Sequence, residues 1–402
     1  MSLIRISERV TKIQYAIREL VSYAKELESK GKKIIYLNIG DPNHYDFDTP
    51  EYFKEALIEA IREGNNGYSE SQGVYELREA IAERENKENN AKITPNDIYI
   101  TFGVSEAINF LLTAILTPGD EILIPDPTYP TYFALTQYNL GIPVFYKCDE
   151  GNNWNPDIES IEKKITSKTK AIVMINPNNP TGAIYDEKVV KELINLAGQY
   201  NLLFISDEIY DRIVYDDIPF KGAASMCRDV PKVIVNGFSK VYIMPGWRLG
   251  YLYFVDPENK LEKLREAIDK QSKVRLCVVT PLQYAVARAL KKPQIHIKPF
   301  VRKLKERRDY TYKRLSEIDQ ITIVKPKGAF YAFPKLNGEI TKKWKSDKDF
   351  VIDLLREEGI LVVHGSGFGE EFSKWHIRTV FLPPVSVLEE AFNRFEEFLR
   401  KN

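Results

Sequence analysis

Three observations predict an α/β fold with a mainly parallel central sheet between helices. Between about residues 98 and 255, short β-branched apolar runs alternate with helical patterns, as successive βα units do. The runs are almost continuously apolar, which implies that both faces of the sheet are covered. Several of them also end in loops rich in ionisable or amide side chains, and open parallel sheets bind ligands beyond their strand C-termini.

The elements follow in order. Residues 10–29 have helical apolar spacing, and Gly31 breaks the pattern before a strand-like stretch at 34–37. Strands are expected at 98–101, 121–124, 171–175, 202–205, 233–235 and 249–254. A helix is expected at 106–116 with Ser105 as its N-cap, and another at 187–200. After Pro293 and Pro299 the pattern turns α+β, with a helix at 301–316, strands at 321–324 and 330–333, and helices at 349–358 and 387–400. A large domain over 47–292 and a smaller α+β domain built from 1–46 and 293–402 are therefore expected.

Composition narrows the function. With 57 Lys+Arg against 57 Asp+Glu and 44% hydrophobic residues in 402, the chain is too apolar for disorder and lacks the basic excess of duplex binders. Cys148, Cys227 and Cys277 are too few and too far apart for a disulfide framework or a CxxC zinc site. Charges at Arg5, Glu8, Arg9 and Lys12 leave no room for a signal-peptide core, and the uncharged run 127–146 carries Pro127, Pro130 and Pro143. A cytoplasmic protein with no membrane or nucleic-acid partner is expected. His44, His296, His364 and His376 show no ligand spacing, so neither a metal nor a Ser-His-Asp triad is assigned.

Four strand-end loops carry the candidate chemistry. In 236–240 a strand delivers Ser239 and Lys240, with Arg248 eight positions on; fixed cations nearby favour the amine form that a Schiff-base nucleophile needs. Alone, Lys240 reads as a solvated surface cation, and its neighbours change that reading. Gly103-Val104-Ser105 before an apolar helix offers free N–H groups at a positive helix end, either a phosphate site or an ordinary cap. Asp207 follows the apolar run 202–205 and needs a cationic or N–H partner, as a pyridinium carboxylate or as a helix N-cap. Asn179 lies between Pro177 and Pro180 in a stiff loop, its amide aimed at a ligand or serving a plain β-turn. The run Gly365-Ser366-Gly367-Phe368-Gly369 lacks phosphate-loop spacing and reads as a turn.

Together these motifs resemble the class I/II aminotransferases of pyridoxal phosphate (PLP) fold type I. The resemblance runs from Asn38-Ile39-Gly40-Asp41-Pro42 through 176–182, 206–210 and 239–251 to His376-Ile377-Arg378 and Pro383, essentially the whole chain. The tracts 236–242, 176–179 and Arg275-Leu276-Cys277 look most like archaeal and bacterial alanine aminotransferases. The resemblance implies PLP as cofactor and catalytic roles for Lys240, Asp207 and Tyr210. Lys240 would carry the cofactor and then shuttle the substrate Cα proton, while Asp207 would keep the pyridine nitrogen protonated. Tyr210 and Asn179 would hydrogen-bond the ring oxygen, Tyr129 would stack on the ring, and Val104, Ser105, Ser239 and Arg248 would hold the phosphate. Gly237 stands where a serine is common in the family, so the phosphate would lean more on those four. Tyr68 would reach the phosphate of a neighbouring subunit, which implies a homodimer with shared active sites.

For substrates the resemblance implies an amino acid and a 2-oxo acid, best matched by L-alanine and 2-oxoglutarate. Arg378 would bind the α-carboxylate, with Gly40 and Asn179 beside it. The segment 14–18, with Tyr15 and Arg18, would fold over the site, and Arg18 would meet the distal carboxylate of a diacid; its plainer reading is a solvated helix charge. Three alternatives stay open. They are another amino-donor preference (aspartate, aromatic or broad), β-elimination as a C–S lyase, and a non-catalytic PLP-binding regulator. Regulators of that kind place a DNA-binding domain ahead of this scaffold, and only about 40 residues precede Gly40 here.

Overall fold

The computed structural model describes residues 4, 6–11, 13 and 15–402, apart from the side chain of Glu8. A short strand, β1 (Ile35–Tyr36), precedes the main sheet. The sheet then takes eight strands: β2 (Ile98–Thr101), β3 (Glu121–Asp126), β4 (Ile142–Asp149), β5 (Asn155–Pro156), β6 (Thr169–Ile175), β7 (Leu203–Asp207), β8 (Lys232–Gly237) and β9 (Gly250–Val255). Their spatial order is β2-β9-β8-β7-β6-β3-β4-β5. The β8-β7-β6-β3-β4 core is parallel, while β9 runs antiparallel to both its neighbours and β5 to β4.

All six expected strands of the main sheet occur, and β4 and β5 are additional. The uncharged run that hid β4 divides into a helix at Thr131–Tyr138 and the start of a strand whose first residues, Ile142 and Pro143, are not fully buried. Alternation along the central strands fills two cores. Ile124, Val173, Ile205 and Val235 face one side with helix Val104–Ile115, and Leu123, Ile172, Phe204 and Ile234 face the other. Each such side chain contributes roughly 1.5–3 kcal/mol by leaving water, which is why the sheet is a rigid platform for its end loops.

One N-cap differs from expectation. Helix Val104–Ile115 begins after Gly103, not Ser105, because Gly103 holds the left-handed φ of 72° that turns strand into helix and so leaves Ser105 inside the first turn. The N-terminal helical pattern is also broken, into Glu8–Thr11, Ala16–Glu19 and Val21–Ser29. Between the first two, Tyr15 adopts φ −143°, ψ 83° and directs its hydroxyl to Tyr129 at 3.0 Å. Gln14 lies outside the described residues.

The two ends of the chain meet. Residues Ile35 and Tyr36 pair in parallel with β11 (Ile360–Leu361), reached after β10 (Tyr331–Ala332). A three-stranded antiparallel sheet joins β10, β13 (Ile377–Val380) and β12 (Val363–His364), with β13 in the middle. Arg378 sits on that central strand. Among the described residues no helix is long and apolar enough to cross a membrane.

Candidate active site

A cavity of about 670 Å³ opens where the parallel strands end. Parallel register puts the chemistry at one level: Asp207 closes β7 opposite Ile175 and Val235, and the loops after β2, β3, β6 and β8 surround it. The cavity brings together Lys240, Asp207, Tyr210, Asn179 and Tyr129. Val104, Ser105, Ser239 and Arg248 line one end, and Arg378, Gly40, Tyr15 and Arg18 line the other walls. Of the residues expected to bind cofactor or substrate, Tyr68 alone is absent from this wall; it is 88% exposed.

Asp207 is buried. Its Oδ2 accepts the Tyr132 hydroxyl at 2.9 Å and its Oδ1 the Ile209 N–H at 3.2 Å. It therefore caps a local turn, not a helix. Burial raises its carboxyl to about 6, against the lowering effect of the Tyr132 and Ile209 hydrogen bonds and the Lys240 charge. Such a group is ionised at neutral pH and gains from a cationic donor placed beside it.

Lys240 Nζ donates to the Gly40 carbonyl at 2.8 Å. Gly40 has no room for a side chain, since a Cβ there would lie 2.0 Å from the Tyr331 hydroxyl. Desolvation in the cavity lowers the ammonium to about 8; Asp41 and Asp207 oppose the shift, and Arg378 and Arg248 add to it. The sequence pointed to nearby cations, but burial is the larger cause. A depressed lysine is a neutral nucleophile from about pH 8 upward, where an ordinary one waits until above pH 10. In the cofactor-free protein, modification of Lys240 by an amine-selective acylating reagent should follow a titration with a midpoint near 8, read by peptide mass spectrometry. A midpoint above 10 would remove the cavity's effect on this amine.

Arg378 is a buried guanidinium held between two rings, its central carbon 4.6 Å from the Tyr331 ring centroid and 4.9 Å from that of Phe368. It donates to Asn179 Oδ1 at 3.1 Å and to the Asn38 carbonyl, and its Nε has no partner among the described residues. No carboxylate pairs with it there. A buried fixed cation with an unused donor calls for an anionic ligand.

Also on the cavity wall, Arg248 donates, among the described residues, only to the carbonyls of Pro245 and Phe102, at 3.1 and 3.3 Å. Its guanidinium crosses Gly103, where a Cβ would lie 2.6 Å from Nη2. The first-turn amides of helix Val104–Ile115 and the Ser239 hydroxyl adjoin it, an arrangement that suits a phosphate. Gly237 is absent from the cavity wall, and a Cβ there would lie 3.0 Å from Gly250 Cα on the neighbouring strand β9.

Sequence reasoning missed Tyr132 and Tyr331. Tyr132 lies three residues after Tyr129 on the helix started by Pro130, a spacing that could have revealed it. Tyr331 was inside an expected strand, but alternation does not say which face meets the cavity; its hydroxyl lies 3.0 Å from that of Tyr210.

Residues 32–395 match the family model described as aminotransferase class I and II. The chain belongs to the class I and II aminotransferases. It is 40% identical over 407 residues to the glutamate-pyruvate aminotransferase AlaA of Haemophilus influenzae, covering 99% of each chain. A solved alanine aminotransferase from Pyrococcus furiosus shares 52% identity at a TM-score of 0.96, covering 99% of this chain and 100% of that one. A probable aspartate/prephenate aminotransferase of Aquifex aeolicus is 38% identical over 356 residues, covering 87% of this chain and 88% of its own. The fold is accordingly that of the fold type I aminotransferases.

Proposed function

We propose that this aminotransferase uses pyridoxal phosphate to exchange the amino group between L-alanine and 2-oxoglutarate, giving pyruvate and L-glutamate. The observation that carries the reading is the buried Arg378, which has no carboxylate partner among the described residues and faces the same cavity as Lys240 and Asp207. The polar groups fit the cofactor, with open donors at Val104, Ser105 and Arg248 for phosphate and an ionisable carboxyl at Asp207 for a ring nitrogen. When bound, the cofactor supplies an electron sink for the negative charge left at the substrate Cα.

The chain's own residues do the rest. Arg378 binds the α-carboxylate and orients the Cα–H bond toward Lys240, whose neutral amine accepts and returns that proton. Asp207 would hold a proton on the ring nitrogen, and Tyr129 would cover the ring. Asn179 already spends its Oδ1 on Arg378, which leaves its Nδ2 for the ring oxygen beside Tyr210. Arg378→Lys should raise the apparent KM of every amino and oxo acid about 10- to 100-fold, since a point charge replaces a two-pronged donor. Steady-state kinetics check this; an unaltered KM throughout would remove Arg378 from substrate binding.

Alanine and the diacid glutamate must share one pocket. Arg18 is exposed at the cavity rim and has no ion-pair partner among the described residues, so it is available to meet a distal carboxylate and to remain in water when the substrate is alanine. Arg18→Ala should raise the KM of glutamate and 2-oxoglutarate by an amount equivalent to roughly 1.5–3 kcal/mol, and that of alanine and pyruvate far less. Equal effects on all four would leave Arg18 a solvated charge.

The assembly reading is a homodimer. Tyr68 is 88% exposed, and Arg275 Nη2 donates to the Ser71 carbonyl at 2.7 Å, bringing exposed Val274 and Leu276 to the same surface. An apolar surface of this kind supports a partner subunit there, with Tyr68 reaching the partner's cofactor phosphate. The large domain over 47–292, the smaller one from both chain ends, and a cytoplasmic location are retained as proposals.

A further inference from the structure

Asp126 ends β3 three residues before Tyr129 and is buried, yet no cationic side chain pairs with it among the described residues. Its charge is met instead by one loop. Oδ2 accepts the backbone N–H groups of Glu370, Glu371 and Phe372 at 3.0, 2.8 and 3.1 Å, and Oδ1 accepts the Ser373 hydroxyl. The Thr128 N–H adds a bond to the Phe368 carbonyl at 2.7 Å. Successive amides turned inward form a nest for an anion, and here the anion is a side chain from the main sheet. Gly369 permits the approach: a Cβ there would lie 1.9 Å from Asp126 Oδ1.

The clasped loop carries Phe368, whose ring lies under the Arg378 guanidinium. Arg378 itself belongs to the antiparallel sheet of β10, β12 and β13, whereas Tyr129 lies in the loop leaving β3 of the main sheet, three residues after Asp126. Resting on the reading of Arg378 as the carboxylate receptor, we propose that Asp126 is a positioning residue: by locking loop 368–373 to the end of β3 it sets Arg378 at a fixed distance from the Tyr129 wall. Asp126 touches no reacting atom and acts through Phe368 and Arg378. Its loss loosens carboxylate binding for amino donors and oxo acids alike, since both present the same α-carboxylate to the same arginine.

The test is a double-mutant cycle on the cofactor-loaded enzyme, with kcat and KM measured for alanine and 2-oxoglutarate. D126N should raise both KM values by a common factor of about 10 while kcat falls less than about threefold, as expected for a lost charged hydrogen bond. In an R378K background the same change should add less than about threefold, because the receptor is already blunted. F368L keeps bulk but removes the aromatic face, and should reproduce the KM pattern if D126N proves too unstable to assay. A full tenfold effect of D126N within R378K, or a fall in kcat at unchanged KM, would overturn the proposal while leaving the reading of Arg378 intact. If R378K alone left KM unchanged, that reading would fail first and this inference with it.

Discussion

Lys240→Ala should fold normally but lose covalent retention of pyridoxal phosphate and at least about 10⁴-fold of its transamination rate, at the upper end of what one positioned acid–base group supplies. The loss is this large because Lys240 holds two roles at one atom: it anchors the cofactor and moves the Cα proton. Among the described residues, no other lysine lines the cavity. Absorbance of the bound cofactor, mass spectrometry and steady-state turnover read the two roles separately. Near-normal turnover in this variant would mean that the amine acting in the site comes from elsewhere.

Asp207→Asn should leave the Tyr132 and Ile209 contacts nearly isosteric yet lower turnover roughly 10²- to 10⁴-fold, the scale of losing one partner of a buried charge pair. An amide stays neutral and cannot hold a proton on the ring nitrogen, so the electron sink is weakened although the cofactor remains attached. The sign of the pH dependence follows from burial. The Asp207 carboxyl is raised to about 6, so before the cofactor binds its ionised form is lost as pH falls through about 6. Unchanged turnover in the asparagine variant would confine Asp207 to capping its own turn.

Much of this architecture was readable because sheet-end chemistry leaves a local trace. An apolar run followed by Ser206-Asp207 or Ser239-Lys240 states both the strand and what its tip presents. What escaped reading depended on approach between distant segments. Asp126 was not singled out: it stands between an apolar run and a proline, and nothing near it in the chain shows that four donors from residues 370–373 converge on it. Tyr331 and Phe368 matter through which faces meet Arg378, a tertiary fact that alternation alone does not carry. The N-terminal break arose because Tyr15 is drawn to Tyr129 while Ile17 is buried, a competition that outweighs the helical spacing of 10–29. The Ser105 cap was misplaced by two residues because Gly103 supplies the turn by backbone conformation, without a side-chain oxygen.

Family membership alone does not choose the donor. The Haemophilus influenzae and Aquifex aeolicus relatives, named for glutamate-pyruvate and aspartate/prephenate chemistry, stand at 40% and 38% identity. The most direct measurement is a panel of amino donors assayed with 2-oxoglutarate, quantifying both glutamate and the oxo acid formed. Alanine should give the highest kcat/KM, with pyruvate and glutamate appearing in equal amounts. Aspartate or an aromatic donor outpacing alanine, or pyruvate released from cysteine together with ammonia and without glutamate, would contradict the account.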